Sequence, residues 1–588
     1  YKNCRYKCRK LIRMKLKTIA IISASIMALL IVIFVLSKDK TEENKTLYFS
    51  FPMEGALFPK DFTAPTFYWE DKKGANSWEI TVNVLGKKEL IKKTSSDNQW
   101  KPSKEEWDLM KKKSQFRNIE LLVRRKQNDQ PDNSEIGKLK IKISTDEVAA
   151  PIVYRQIPLP FSYAEANIDK TSYSIIDMTS PEPFYNVLGS FKVCGNCHSF
   201  SADGNSIALD FDAVSRDKGG YFIANVIPET QFNRNNYISW SKMTNRNTFG
   251  LLSRISWNGR YVATTVKDRV VSKKVDGLQS LPYSQLFFPV NGVIAIYDTL
   301  TKEVKELPGA NDPNFVQSNA VWTPDDKYII FARAKALPFP KNEKTYDCFV
   351  RDETLINNYL QEKEELKFDL YIVPFNDGKG GEAKPIKGAS GNGKSNYFPT
   401  VSPDGKWLVF CQASNFMMLR PDSRLYILPI EGGKAKKLEC NFQDMNSWHA
   451  WSPNGKWLVY VSKALDIYTD MYLTHIDEKG NASTPVLIEN AKRQNCAINY
   501  PEFINKKTDY QFNMNYSYVN IMDIEDAISA GKREEAEAML EKYISQKIEM
   551  PVEFHEVGRM KELLGHKDEA KQYYQKAVEM DKEFSKKE

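Results

Sequence analysis

The spacing of apolar positions along the 588-residue chain changes character several times. Residues 18–37 form a 20-residue run without a charge, long enough to cross a hydrocarbon core about 30 Å thick. Residues 38–46 (KDKTEENKT) hold no apolar side chain and read as a linker. From Leu47 the chain turns to short strands, LYFSF, SWEITVNVL, IELLVRR and KLKIKIS, broken by Gly, Pro, Asn and Asp. Trp78, Ile80, Val82 and Val84 alternate onto one face, as in a half-buried strand. This texture predicts a β-sandwich over 47–150, followed by a connecting segment over 151–189. Near the C-terminus the spacing lengthens to three and four residues, predicting helices over 525–546 and 553–583 within a helical tail, 521–588.

Between these regions one phrase recurs. It reads SFSADGNSIALDF from Ser199, RISWNGRYVATTV from Arg254, AVWTPDDKYIIFA from Ala320, TVSPDGKWLVFC from Thr400 and AWSPNGKWLVYV from Ala450. Its common form is a strand end, a Ser/Thr–x–Asp/Asn–Gly turn and a returning alternating strand. Asp-Gly and Asn-Gly supply the positive φ angles that tight hairpin turns require. Gly204, Gly259, Gly405 and Gly455 are therefore placed in turns. Further hairpin signals follow each phrase, as in LYILPIEGGKAKKL, and three or four strands per unit make one propeller blade. A decayed copy at Tyr500-Pro501-Glu502-Phe503 brings the expected number to six, with extra loops after the second and third copies. That copy has no glycine in Ile504-Asn505-Lys506-Lys507, and part of 151–190 is a candidate to supply it with a strand.

The repeated phrase resembles the TolB-like propeller repeat, related to the WD type, of bacterial envelope proteins, and the resemblance covers about 190–520. It implies a mainly β chain built on a six-bladed propeller. Pro52, Gly55, Phe58-Pro59, Pro65 and Trp69 resemble fibronectin-type modules of secreted bacterial proteins, which implies a spacer for the N-terminal sandwich. Leu563 to Ala570, Tyr573-Tyr574 and Ala577 resemble the turn and second helix of a tetratricopeptide repeat, and Gly531 to Ala536 the same turn in an earlier copy. Two partial repeats are fewer than the three usually needed for independent stability, so the tail is expected to dock on the propeller or on a partner.

Charge changes the picture in one place. The net charge is +8, but eight of the 83 Lys and Arg residues fall in residues 1–17, which hold no acid, and the remainder balances the 75 acids. A nucleic-acid footprint needs basic clustering on the folded part, so nucleic acid is not an expected partner. The basic end instead flanks the apolar run and reads as cytoplasmic by the positive-inside rule. This predicts an inner-membrane, single-pass anchor at 18–37 with the body in the periplasm. The competing reading is a cleaved signal peptide. Met14 is a candidate start of translation, in which case Cys4 and Cys8 fall outside the protein. Six cysteines follow the anchor: Cys194, Cys197, Cys348, Cys411, Cys440 and Cys496, able to pair in an oxidising compartment.

One chemical motif stands out. Cys194-Gly195-Asn196-Cys197-His198 is a C-x-x-C-H sequence, the attachment signature of c-type haem. Two thiols bond the porphyrin edge and the imidazole, here His198, becomes the proximal iron ligand. The rival reading comes from the repeat itself. With the turn glycines Gly204 and Gly455 aligned, His198 lies over His449, six residues before each glycine. A histidine there belongs to the blade vocabulary, leaving Cys-x-x-Cys as a disulfide, a redox pair or half a zinc site. If haem is bound, both histidines are expected to face the propeller axis, with His449 as distal ligand in competition with Met417, Met418 and Met445; otherwise His449 hydrogen-bonds across blades. No Gly-x-Ser-x-Gly elbow, dinucleotide fingerprint or His-Glu-x-x-His occurs. The acidic group Glu362, Glu364 and Glu365 reads as the solvated face of an inserted helix.

The expected function is a membrane-anchored periplasmic scaffold for binding and assembly, engaging a protein partner in the envelope. Haem c on Cys194, Cys197 and His198 stands beside the disulfide as an expectation, and proteins joining these features are sometimes labelled cytochrome c biosynthesis proteins. A haem c electron carrier and a propeller-based enzyme are the alternatives.

Overall fold

The computed structural model describes residues 45–585 except 85–86, 115–116, 128–129, 190–194, 213–217, 245, 276, 278–283, 339–347, 517–520, 547 and 549–550. The expected anchor at 18–37 and Cys194 therefore lie outside the described residues. Among those residues no helix is long and apolar enough to cross a membrane. The chain divides into two compact units.

The first unit comprises the described part of Tyr1–Pro52 with Thr66–Pro102 and Asn118–Lys140. Leu47–Phe51, Phe67–Asp71 and Gln99–Trp100 form one antiparallel sheet. Trp78–Val84 is flanked on its two edges by Lys87–Ser95 and Ile119–Gln127. Trp78, Ile80, Val82 and Val84 are all buried, but Glu79 and Thr81 between them are buried as well, so the expected one-face-in, one-face-out alternation is not observed there. Arg125 is enclosed beside Asp71 at 2.6 Å and Glu135 at 3.0 Å. The continuous sandwich expected over 47–150 is interrupted. Met53–Pro65 and Ser103–Arg117 group with the second unit, the latter as a helix, Lys104–Ser114. That helix buries Trp107, Met110 and Ser114 at three- and four-residue spacing, and the Trp107 indole donates to the Phe62 carbonyl at 2.8 Å.

The second unit holds six four-stranded antiparallel sheets among its described residues. The opening strands of the first five are Gly195–Phe200, Leu251–Ile255, Phe315–Trp322, Ser395–Val401 and Asn446–Trp451. The sixth opens with Cys496–Phe503 and takes its other three strands, Ile152–Pro158, Ser172–Ile176 and Tyr185–Leu188, from before the array. Each opening strand touches the next, and the sixth returns to touch the first. This is a β-propeller. The segment 151–189, expected as a connector with part of it in the last blade, supplies most of that sheet. The insertions fall where the longer intervals placed them. The second sheet carries a long hairpin, Tyr261–Val275 with Ser284–Asp298, and the third a helix, Glu353–Leu360. Glu362, Glu364 and Glu365 follow that helix as exposed residues rather than forming one of its faces.

The recurring phrase is explained by one hydrogen-bond device. Ser201, Ser256, Thr323, Ser402 and Ser452 each donate through the hydroxyl to the Asp or Asn two residues on, at 2.6–2.7 Å. The same hydroxyl oxygen accepts from the backbone N–H five residues on, at 2.9–3.0 Å. Gly204, Gly259, Gly405 and Gly455 complete the turns with φ between +67° and +77°, a region that costs a Cβ-bearing residue strain. In the third copy Asp326 stands at the glycine position with φ +54°. Its carboxylate accepts from the Trp257 and Asn258 amides of the neighbouring turn at 2.8 and 2.9 Å, a function glycine cannot supply.

The tail forms the helices Ile521–Ser529, Arg533–Ser545, Pro551–Leu563 and Lys567–Ser585. Ile521, Ile524, Leu540, Val557 and Met560 share one buried cluster with Val153, Tyr173, Leu209 and Phe222 of the sixth and first sheets. Of the two placements expected for the tail, docking on the propeller is the one observed.

Candidate functional site

Each opening strand carries a β-bulge just before its turn phrase. Four residues before the turn Ser/Thr stand Leu252, Asn319, Phe398 and Trp448, with φ of +58°, +58°, +50° and +43°, and Tyr500 matches them in the sixth sheet with φ +55°. A bulge adds a residue and re-aims the side chains that follow it. The next residue along is His198, Ser253, Ala320, Pro399, His449 or Pro501 in the six sheets, so the aligned histidines do share one position.

That position faces the preceding sheet. The His198 ring is 1% exposed and meets Tyr173, Phe200 and Tyr500 edge-on, with centroids 5.7–5.8 Å apart. Tyr173 and Tyr500 belong to the sixth sheet. His449 is likewise buried, its Nδ1 3.8 Å from Cys411 Sγ on the fourth sheet. Burial holds His198 down to about 3 and His449 to about 4, with the Arg254 charge adding to both. Both imidazoles are therefore neutral near pH 7. The expectation that both face the axis is corrected: His198 borders neither axial cavity, and His449 borders only the smaller one.

The next column does face the axis. Ser199, Arg254, Val321, Thr400, Ala450 and Glu502, one from each sheet, border a cavity of about 320 Å³. Below it lies a second space of about 20 Å³, sharing Arg254, Val321, Thr400 and Glu502 and bordered also by Trp448 and His449, with room for about one water. Arg254 and Glu502 form an ion pair across the first sheet, with side chains 16% and 12% exposed. The guanidinium also lies 5.5 Å from the Tyr500 ring centroid. Burial pushes the Glu502 carboxyl up, and Arg254 opposes that shift.

Cys197 sits beside this pair. Its amide and thiol bond Asp210, and Tyr500 hydrogen-bonds its sulfur. Burial pushes the thiol well above its ordinary range, with the Asp210 charge adding. A thiol so protonated is a poor nucleophile and metal ligand. Cys411, Cys440 and Cys496 form no disulfide among the described residues. Among the described residues no cluster of three His, Cys, Asp or Glu is disposed to hold a metal ion.

The haem c expectation is not tested by the described residues, which leave out Cys194. Cys197 and His198 are consecutive residues of the strand Gly195–Phe200, at its β-bulge. The imidazole is closed in by three aromatic rings, and neither Cys197 nor His198 borders the axial cavity. Met417 and Met445 are core residues, and with Met418 they stand outside the lining of both axial cavities. The residues missed from the sequence are Arg254, Thr400, Trp451 and Glu502. Extending the alignment by one column beyond His198 and His449 exposes the two charges.

No family model matches this sequence, and no curated protein matches it. Solved structures similar to it include TolB from Acinetobacter baumannii, 16% identical, covering 66% of this chain and 79% of that one with a TM-score of 0.38. The periplasmic gluconolactonase PpgL of Pseudomonas aeruginosa is 9% identical, covers 57% and 82%, and gives 0.30. Hydrazine synthase of Kuenenia stuttgartiensis is 11% identical, covers 51% and 88%, and gives 0.29. At these scores the propeller assignment rests on the chain's own sheet order and its ring of opening strands.

Proposed function

We propose that this chain is a non-catalytic binding scaffold of the cell envelope, a closed six-bladed propeller that recognises its partner at the axis. The observation that carries the reading is the larger cavity, to which all six sheets contribute the same stretch of the repeat. Ligand sites favour concave, largely apolar places with a few convergent polar groups, and this cavity joins three indoles, Trp257, Trp322 and Trp451, to one ion pair. The neutral imidazoles and protonated thiol beside it supply no poised nucleophile, which favours binding over chemistry. The uncharged run at 18–37 and the basic residues before it favour an inner-membrane anchor with the body in the periplasm. The helical tail, packed on the first and sixth sheets, stiffens the closure of the ring.

A reporter fused after Thr46 tests the placement: activity confined to the periplasmic form is expected, and activity confined to the cytoplasm overturns it. Co-purification tests the recognition site. Ala450→Leu, which fills the cavity from the fifth sheet, is expected to release an envelope partner that the parent chain retains. Retention unchanged by Ala450→Leu overturns the axial site.

A further inference from the structure

Beyond Phe503, the last residue of the sixth opening strand, the chain crosses to the first sheet. There Asn513–Tyr516 lies parallel to Glu229–Phe232, a segment between the third and fourth strands of that sheet. The register pairs Glu229 with Asn513 and Phe232 with Tyr516. The Asn513 backbone N–H donates to the Pro228 carbonyl at 2.8 Å. Its side-chain amide donates to one Glu229 oxygen at 2.8 Å, and Asn515 donates to the other at 2.6 Å. The Tyr185 hydroxyl, on the outermost strand of the sixth sheet, donates to the Asn513 side-chain oxygen. One asparagine therefore bonds both sheets, away from the axis.

This ladder has only two strands. Two-stranded sheets are marginal alone, and parallel pairing is slightly weaker than antiparallel. Burial of alternate residues supports it. Phe512 and Met514 join the cluster that the tail helices share with the two sheets, and the Tyr516 ring lies 4.9 Å from Phe211. Its polar ties are exposed, at Glu229 and Asn515. A short ladder held by exposed bonds belongs to the part of a domain that opens before its core. At the other end of the same stretch, Phe503 and Asn505 border the axial cavity. The Asn505 amide donates to the Ala202 carbonyl of the first sheet at 2.8 Å. Asn505 and Asn513 thus tie one stretch of chain to one sheet, at the cavity rim and at the outer edge.

We propose that Asn513–Tyr516 is a releasable strap that fixes the sixth-to-first side of the axial cavity. Closed, it holds the stretch after Phe503 against the first sheet and the cavity wall is set. Open, it leaves Asn505 on Ala202 as the remaining side-chain tie, and the wall formed by Phe503 and Asn505 loosens. A wall already ordered costs less entropy on binding, so the closed strap favours recognition. This inference rests on the reading of the axial cavity as the recognition site and adds a control to it.

Hydrogen exchange in the full-length, detergent-solubilised chain tests the strap. Asn513→Ala removes the bonds to Glu229 and Tyr185 and leaves Phe512 and Met514 in place. Amides of 229–232 and 513–516 are expected to exchange about tenfold faster. Those of 502–505 are expected to follow, while Ser395–Val401 of the fourth sheet keeps its rate. Gln231→Cys with Asn515→Cys converts an exposed register pair into a disulfide that locks the ladder. Oxidation of that pair is expected to slow exchange at 502–505 and to raise retention of the envelope partner, and reduction to reverse both. Exchange at 502–505 indifferent to both changes overturns the strap. Equal acceleration at 395–401 also overturns it, since it marks general loosening, as does failure of the cysteine pair to oxidise. Retention indifferent to the disulfide overturns the control. If Ala450→Leu still releases the partner in that case, the strap falls and the axial site stands; if Ala450→Leu releases nothing, the axial site falls too.

Discussion

Arg254 of the second sheet and Glu502 of the sixth join in an ion pair across the first sheet, at the inner edge of the propeller ring. They occupy the same repeat position two sheets apart, where the other four sheets place Ser199, Val321, Thr400 and Ala450. The pair thus marks the axis and sets the charge balance of the cavity.

Breaking one side of this pair is expected to cost more than removing both. Glu502→Leu leaves Arg254 charged and largely enclosed, at a cost of about 3–5 kcal/mol. Arg254→Leu combined with Glu502→Leu is expected to recover most of that loss, because no isolated charge remains. A double-mutant cycle by denaturant unfolding measures the coupling; additive losses would contradict it.

The turn glycines are expected to differ in sensitivity. Gly405 has positive φ but open space where a Cβ would stand, so Gly405→Ala meets only backbone strain, about 1 kcal/mol. At Gly204 a Cβ would come 2.8 Å from the Asn505 carbonyl oxygen, in the segment following the sixth opening strand. Gly204→Ala is therefore expected to lower the melting temperature distinctly further than Gly405→Ala. Equal shifts in the two variants count against this packing.

Acid is expected to destabilise the propeller through its buried histidines. Both have folded pKa values, about 3 for His198 and about 4 for His449, below the unfolded value of about 6.5. The unfolded chain therefore takes up protons first as pH falls. Their contribution to stability is complete above about pH 6.5 and declines toward pH 4 and 3, by at most about 1.4 kcal/mol per pH unit for each residue. His198→Phe retains a ring among Tyr173, Phe200 and Tyr500 but cannot titrate. The slope of melting temperature against pH between about 6 and 4 is expected to be shallower in that variant, and an unchanged slope contradicts the assignment.

Closure of the ring through the sixth sheet makes residues 152–188 indispensable to the array. A chain beginning at residue 190 leaves Cys496–Phe503 without its three partner strands and exposes long unpaired strand edges. Loss of cooperative unfolding is expected, with recovery when 151–189 is supplied in trans. Cooperative unfolding of the shortened chain at the original temperature runs against closure.

Much of the propeller was legible because its turn phrase is tied to a local device. Each turn needs a hydroxyl, an Asp or Asn two residues on and a positive-φ residue after it, as in Ser402, Asp404 and Gly405, so the signal survives in five copies. The sixth sheet was only partly legible, since Pro151 and Ile152 come long before Ile504 and no turn joins them; the Ile504 amide reaches the Pro151 carbonyl at 3.1 Å. The helix Lys104–Ser114 was hidden in a lysine-rich stretch with only three buried residues. The axial column lies one position beyond the histidines that the sequence singles out. His198 and His449 attract notice as chemistry, but the bulge marked by Trp448 turns their position toward the preceding sheet. Arg254 and Glu502, one residue further along, carry the axial charge, and each alone looks like an ordinary surface residue.

The central claim is that recognition takes place at the axial cavity, and photo-crosslinking in cells tests it most directly. A photoreactive residue replaces Pro453, which borders the cavity, or Lys437, exposed on the outermost strand of the fourth sheet. The account predicts a specific adduct from position 453, lost on addition of Ala450→Leu, and none from position 437. An adduct from position 437 alone, or one from 453 indifferent to Ala450→Leu, would contradict it.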